Sequence, residues 1–216
     1  MRIGLLGGSF NPVHNAHLQI AGEAQFLCRL NRVIFIPAAD PPHKSVAGEI
    51  SFACRSEMVS MAIVGRAGFE ISTVEAERSG KSYSIDTIRI FQEQFPEDDL
   101  FFIIGADSFL EIGSWRRYAE IFQSCNLVVV ERPGSPVSDR IAALPKAVRE
   151  EFTLNRDDGC LLHHLGTTIS FVTGTPLDIS STSIRRLAAI DGDISASVPP
   201  DVAAYISQKR IYHKCR

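Results

Sequence analysis

Two histidines three positions apart, His14 and His17, follow a short apolar run that ends in a glycine pair, in the stretch GLLGGSFNPVHNAH. Gly7 and Gly8 can take positive φ and let a ligand approach the main chain with no Cβ in the way. Asn15 is placed to cap the helix that follows, which puts His17 in its first turn. A helix start brings unpaired N–H groups and a positive partial charge, a seat for an anion. Imidazoles beside that seat can donate hydrogen bonds to a phosphate oxygen as it gains charge, so the combination points to phosphate chemistry. The rival is a metal pair, for which no third ligand of matching type stands nearby. The loop has neither the GxGxxG of dinucleotide binders nor the GK[ST] of Walker A loops.

A second stretch, DISSTSIRRL from Asp178 to Leu187, lies near the other end of the chain. Its pattern predicts a helix over 183–190, with Ser180, Ser181 and Thr182 as helix-starting residues. Arg185 and Arg186 then fall in or near the first turn, where positive charge opposes the helix dipole at a cost of a few tenths of a kcal/mol to ~1. A bound polyphosphate would reverse the sign of that effect. The plainer alternative is an accidental arginine pair on a solvated helix end.

These residues need a frame. Apolar runs of strand length are expected at 2–7, 32–37, 70–74, 100–105, 126–130 and 168–172, and helical periods at 16–29, 52–64, 84–94, 109–122, 140–151, 183–190 and 201–209. Runs such as Arg32-Val33-Ile34-Phe35-Ile36 are continuously apolar, as a parallel strand covered on both faces must be. Alternation of strands and helices predicts right-handed crossovers and an open, doubly wound α/β sheet with helices on both faces. Ligands of such sheets bind beyond the carboxyl ends of the strands, where the strand order reverses. Here the text after the strands reads GGSFNPVHNAH, AADPPHK, GADS and ERPG, which concentrates the chemistry at that edge. PGSP at 133–136 and NRDDG at 155–159 read as loops around a small insertion. His163 and His164, just beyond it, are expected on the surface and not as ligands.

The 216 residues carry 22 Lys and Arg against 25 Asp and Glu, a net charge of −3, which argues against bulk capture of nucleic acid and leaves any anion site local. Five scattered cysteines with no CxxC pair argue against a disulfide framework or zinc knuckle, and most are expected as small core residues. The apolar run after Met1 stops at the glycines and no long apolar segment follows, so the expectation is a soluble, cytoplasmic chain with no membrane partner. One domain is expected over 1–216, with a small C-terminal helical part over about 180–216. Oligomeric state stays open, a homo-oligomer included.

GGSFNPVHNAH resembles the GGTFDPxHxGH signature of the HxGH nucleotidyltransferases, and ISSTSIR their ISSTxIR signature. IPAADPPHK (Ile36–Lys44), ERSGKSYSIDT (Glu77–Thr87), FIIGADSFLEIGSW (Phe102–Trp115) and VERPG (Val130–Gly134) resemble nicotinate-nucleotide adenylyltransferases, a likeness weakest over 138–166. The resemblance implies a single Rossmann-like domain that joins the AMP part of ATP to nicotinate mononucleotide and releases pyrophosphate. It implies catalytic roles for His14, His17 and Arg185. ATP contacts would come from these with Gly7, Gly8, Ser9 and Phe10, then Gly105, Asp107 and Arg132, and finally Ile179, Ser180 and Ser181. The mononucleotide would meet Lys44, Tyr83, Ser84, Asp107 and Trp115, with Trp115 as a flat face for the pyridine ring. Plainer alternatives are a solvated Lys44, a capping Ser84, a core-plugging Trp115 and a salt-bridged Arg132. Mg²⁺ is implied by ATP and, with no dedicated carboxylate cage, would be held mainly by its phosphates. Three positions depart from the signature: Ser9 for threonine, Asn11 for aspartate, and Ala16 for the HxGH glycine. Nicotinamide mononucleotide or another phosphate acceptor, and a nucleotide sensor without turnover, are the alternatives.

Overall fold

Six segments align side by side because all have main-chain groups to pair and the central four have two apolar faces to bury. In the computed structural model, which describes residues 1–42, 50–131, 136–174, 177 and 179–213, they form β1 (Arg2–Gly8), β2 (Arg32–Pro37), β3 (Phe69–Ile71), β4 (Asp99–Gly105), β5 (Asn126–Glu131) and, after a hairpin, β8 (Thr168–Thr173). With β6 (Phe152–Leu154) and β7 (Leu161–His163) the sheet order is β3-β2-β1-β4-β5-β8-β7-β6, and the pairs among the first six are all parallel. Period-two alternation sends Phe101 and Ile103 of β4 into one core and Leu100, Phe102 and Ile104 into the other. The first core is closed by α1 (Asn15–Leu27), α2 (Phe52–Ile63), α7 (Ser181–Ala188) and α8 (Pro200–Gln208), the second by α3 (Ser84–Gln94), α4 (Ala106–Leu110) and α5 (Tyr118–Ser124). Close packing shows at Gly4, where a Cβ would come within 2.8 Å of Leu30.

The C-terminal helices are integral to this core. Helix α8 has nine residues, too few to be stable alone. It buries Val202 and Ile206 on one face, each worth about 1.5–3 kcal/mol. The Tyr205 hydroxyl adds a 2.6 Å hydrogen bond to Glu57 of α2.

Several expectations are corrected. The third strand ends at Ile71, and Val74 opens a short 3₁₀ turn instead. The helix expected over 109–122 is two: α4 starts earlier, a 3₁₀ turn covers Ile112–Ser114, and Arg117 at φ 53° breaks the period before α5. The helix expected over 140–151 stops as α6 (Arg140–Ala143), because Pro145 forces Leu144 to ψ 148°. A 3₁₀ turn follows, and then β6 (Phe152–Leu154) and β7 (Leu161–His163), an antiparallel hairpin that forms one edge of the sheet. Asn155–Gly159 is its turn. Three-residue strands carry too little pattern to be seen in a sequence. His163, expected on the surface, is 1% exposed in the wall of the second core, whereas His164 is exposed as expected. Cys28 and Cys125 are buried, Cys54 and Cys160 half-buried, and all four are free thiols.

Candidate active site

The strand order reverses between β1 and β4, so the crevice lies where β1 gives way to the loop Ser9–Val13 and to α1. Gly7 and Gly8 finish β1, and neither has positive φ, contrary to expectation. Gly8 is small for another reason: a Cβ there would come 3.1 Å from the Phe10 ring, which sits at φ 45° beneath the loop. Gly7 is exposed and leaves the main chain bare.

His14, not Asn15, stands at the cap position of α1. Asn15 is the first helical residue, and its main-chain and side-chain amides donate to the carbonyls of Ser197 and Ala196. His17 Nδ1 accepts the His14 main-chain N–H at 3.2 Å, so in the neutral ring Nε2 carries the proton and points donor chemistry away from the helix start. The two imidazoles stack with centroids 3.7 Å apart, and the Phe10 ring meets His17 edge-on at 5.0 Å. His14 is 6% exposed, and its Nδ1 has no hydrogen-bond partner among the described residues. Burial lowers its pKa to about 4, opposed in part by a main-chain hydrogen bond, so the ring is neutral at pH 7.

The second motif meets the first directly. Ser181 Oγ donates to the Pro12 carbonyl at 3.1 Å, and Arg185 Nη1 to the Asn11 carbonyl at 2.9 Å. The Tyr212 hydroxyl donates to Asn11 Oδ1 at 2.8 Å. Residues about 170 to 200 positions apart in the chain therefore hold one loop. Arg185 and Arg186 occupy the last turn of α7, where positive charge is favourable; the expected conflict with the helix dipole does not arise, because the helix starts at Ser181 and not Ser183. Ser180 is the cap, accepting the Ser183 N–H at 3.1 Å, and Ile179 packs on the first core.

Gly105 precedes α4, and Asp107 is exposed in its first turn, at the carboxyl end of β4. Trp115 is half-buried, its ring edge-on to Phe102 at 6.3 Å, so part of it packs and part stays accessible. Tyr83 holds the cap position of α3 without a side-chain cap bond, which leaves Ser84 as the first helical residue and removes capping as its role. Arg116 lies over the Tyr83 ring at 4.6 Å, linking the Trp115 segment to the start of α3. Lys44, Arg132 and Asp178 lie outside the described residues.

Sequence reasoning missed a buried arginine. Arg55, 3% exposed on α2, donates 2.7 Å hydrogen bonds to the carbonyls of Ser9 and Ala38. A signal was there: Arg55 precedes Met58, Val59 and Ala62 at helical spacing, which puts it on the apolar face. Glu75, Thr87 and Tyr212 were missed as well.

A cluster of candidate metal ligands occurs away from the crevice. Among the described residues, Glu151, His163 and His164 bring ligand atoms within 4.8 Å of one another on the edge hairpin. The Leu165 N–H donates to His163 Nδ1 at 3.1 Å, which puts the neutral ring's proton on Nε2, where it meets Glu151 at 2.8 Å. The lone pair that a metal would need is thus already committed to Leu165.

Comparison with known proteins agrees with this geometry. A family model described as cytidylyltransferase-like matches residues 5–187. A protein of Pelobacter propionicus described as a probable nicotinate-nucleotide adenylyltransferase is 57% identical over 215 residues, covering 100% of both chains. One of Geotalea uraniireducens with the same description is 52% identical over 216 residues, again covering both in full. The fold matches the Plasmodium falciparum nicotinic acid mononucleotide adenylyltransferase complexed with NaAD, at TM-score 0.75 and 18% identity, over 98% of this chain and 97% of that one. The chain is a Rossmann-like α/β protein, and it belongs to the cytidylyltransferase-like family, among the relatives described as nicotinate-nucleotide adenylyltransferases.

Proposed function

We propose that this chain, as one domain over 1–216, transfers AMP from ATP to nicotinate mononucleotide, giving deamido-NAD and pyrophosphate. The observation that carries the reading is the seating of Ser181 and Arg185 on the carbonyls of the loop whose end presents His14 and His17. A phosphate donor site built from both chain ends suits a polyphosphate that must be gripped at more than one phosphorus. The 5′-phosphate of the mononucleotide is ionised at neutral pH and attacks the α-phosphorus in line. The bond to the bridging oxygen breaks, its electron pair leaves with pyrophosphate, and no side-chain nucleophile takes part.

Rate then depends on holding two anions together and meeting charge as it builds. His17 would donate from Nε2 to the transferring phosphoryl group. His14, neutral because it is buried, would donate without acting as a proton source. Arg185 and Ser181 would meet the departing phosphates, with Gly7, Gly8, Ser9 and Phe10 lining the approach, Ser180 and Ile179 behind them, and Gly105, Asp107 and Arg132 toward the nucleoside. Tyr83, Ser84, Trp115, Asp107 and Lys44 would hold the mononucleotide. The imidazole, hydroxyl and main-chain donors of this crevice fit a Mg²⁺ that rides on ATP rather than one caged by protein. Such an ion supplies charge neutralisation on the polyphosphate. No helix among the described residues is long and apolar enough to cross a membrane; a cytoplasmic enzyme is in keeping with this.

Pyrophosphate release by purified protein, with ATP and either nicotinate or nicotinamide mononucleotide, tests the reading. Turnover with kcat/KM higher for the acid supports it; higher kcat/KM for the amide reassigns the acceptor. ATP binding with no release for either makes the chain a sensor.

A further inference from the structure

Three of the buried polar residues, Arg55, Glu75 and Thr87, are 3%, 6% and 2% exposed and lie along one path beneath the crevice. Arg55 Nη1 donates to the Ser9 carbonyl, in the loop after β1, and Nη2 to the Ala38 carbonyl, in the loop after β2. The Ala38 carbonyl and the Ala39 N–H belong to the same peptide unit, and that N–H donates to Glu75 Oε2 at 3.3 Å. A single peptide is thus held between a guanidinium on its oxygen and a carboxylate on its nitrogen, an orientation its own dipole favours. The other oxygen of Glu75 accepts the Thr87 hydroxyl at 2.6 Å, one turn into α3 beyond Tyr83 and Ser84. Asp40 and Ser82 add two more bonds between the same loop and the start of α3, at 2.8 and 3.0 Å.

We propose that Arg55, Glu75 and Thr87 form a positioning chain that fixes the distance between the loop at Ser9–Phe10 and the start of α3. The proposal rests on the adenylyltransferase reading, in which the first element holds ATP and the second the attacking mononucleotide. None of the three residues touches a reacting atom. In-line transfer without a side-chain nucleophile is governed by approach distance, and a displacement of about 1 Å costs on the order of 100-fold in rate. The chain therefore acts on turnover more than on the binding of either substrate. A lysine at 55 reaches one carbonyl where the arginine fork reaches two.

Steady-state kinetics of Arg55→Lys, Glu75→Gln and the milder Thr87→Val test this, with cooperative thermal unfolding as the check of fold. Expected is a fall in kcat of about 10- to 100-fold for the first two and less for the third, with KM for ATP changed by no more than about threefold. The double variant Arg55→Lys/Glu75→Gln should lose less than the product of the single losses, since either change breaks the same path. Hydrogen exchange without substrate gives a second readout: Glu75→Gln should speed exchange at Ser9 and Phe10, which it does not touch, as well as at Ala39. Folded variants with kcat within about twofold of the parent, or a rise in KM for ATP that matches the fall in kcat, overturn the proposal. If the parent protein itself transfers nothing to nicotinate mononucleotide, the functional reading fails. Exchange then decides the chain, and separate responses of the two loops overturn it.

Discussion

Among the described residues are two stacked or nearly stacked histidine pairs, one at the crevice and one at the edge hairpin, and in each pair one ring is buried. His14 is covered by the crevice loop with Nδ1 unpartnered among the described residues, and the rings of its pair lie 3.7 Å apart. His163 is covered by the edge hairpin with both ring nitrogens engaged, by Glu151 and by the Leu165 N–H, and its neighbour's ring is 4.4 Å away. Burying a polar nitrogen without a partner costs roughly 1–3 kcal/mol. At the hairpin that cost is offset, and the histidine is part of the structure. At the crevice the offset is weaker: Nδ1 has no partner among the described residues, and a main-chain hydrogen bond opposes the burial of the ring only in part. Two residues of the same type and similar burial thus differ in their partners.

The comparison breaks first at His17. His17→Ala should lower kcat by about 100- to 1,000-fold while ATP binding, measured by calorimetry, changes little; normal turnover would remove the distinction between the pairs. Stability against pH is the next handle. The ordinary histidine pKa of 6.5 governs the unfolded chain and about 4 the folded one, so the unfolded state takes the proton first as pH falls. Stability should therefore be lost between pH 6.5 and 4, by up to about 3 kcal/mol, and His14→Asn should abolish that part of the loss in chemical denaturation series. Arg185→Ala removes a charge expected at the leaving phosphates and a bond to the first loop; KM for ATP should rise and kcat fall, each by about 10-fold or more. At the hairpin, His163→Gln should cost about 1–2 kcal/mol of stability and leave kcat unchanged, and added Zn²⁺ should not raise the melting temperature. His164→Ala should do least, within about 0.5 kcal/mol.

Much of this was legible because the relevant forces are local. Continuous apolar runs marked β1, β2, β4 and β5, since a strand covered on both faces has no polar side; β8 mixes Thr and Ser with its apolar residues and is less deeply buried. The site was legible as two motifs, yet their meaning was partly misread. Asn15 is a better cap than histidine by type, but its amides bond Ser197 and Ala196, residues that only the fold brings near. The arginines of α7 looked misplaced because a two-residue error in a helix start moves a residue from one pole of the dipole to the other. Pro145 does end α6, whereas the break at Arg117 has no comparable mark in the sequence. Arg55 lay on the apolar face of its helix, but its acceptors are main-chain carbonyls of two other segments, which no side-chain pattern encodes.

The sequence by itself determined the longer strands, their parallel arrangement and the residue types gathered after each of them, because hydrophobic period and backbone propensity act over a few neighbours. Tertiary structure alone decided that the loop at Asn11–His14 is held by Ser181, Arg185 and Tyr212, that Arg55 and Glu75 grip one peptide, and that both ring nitrogens of His163 are engaged, by Glu151 and Leu165. Hydrogen-bond partners depend on direction and distance between segments far apart in the chain, and those are fixed only when the sheet closes its two cores.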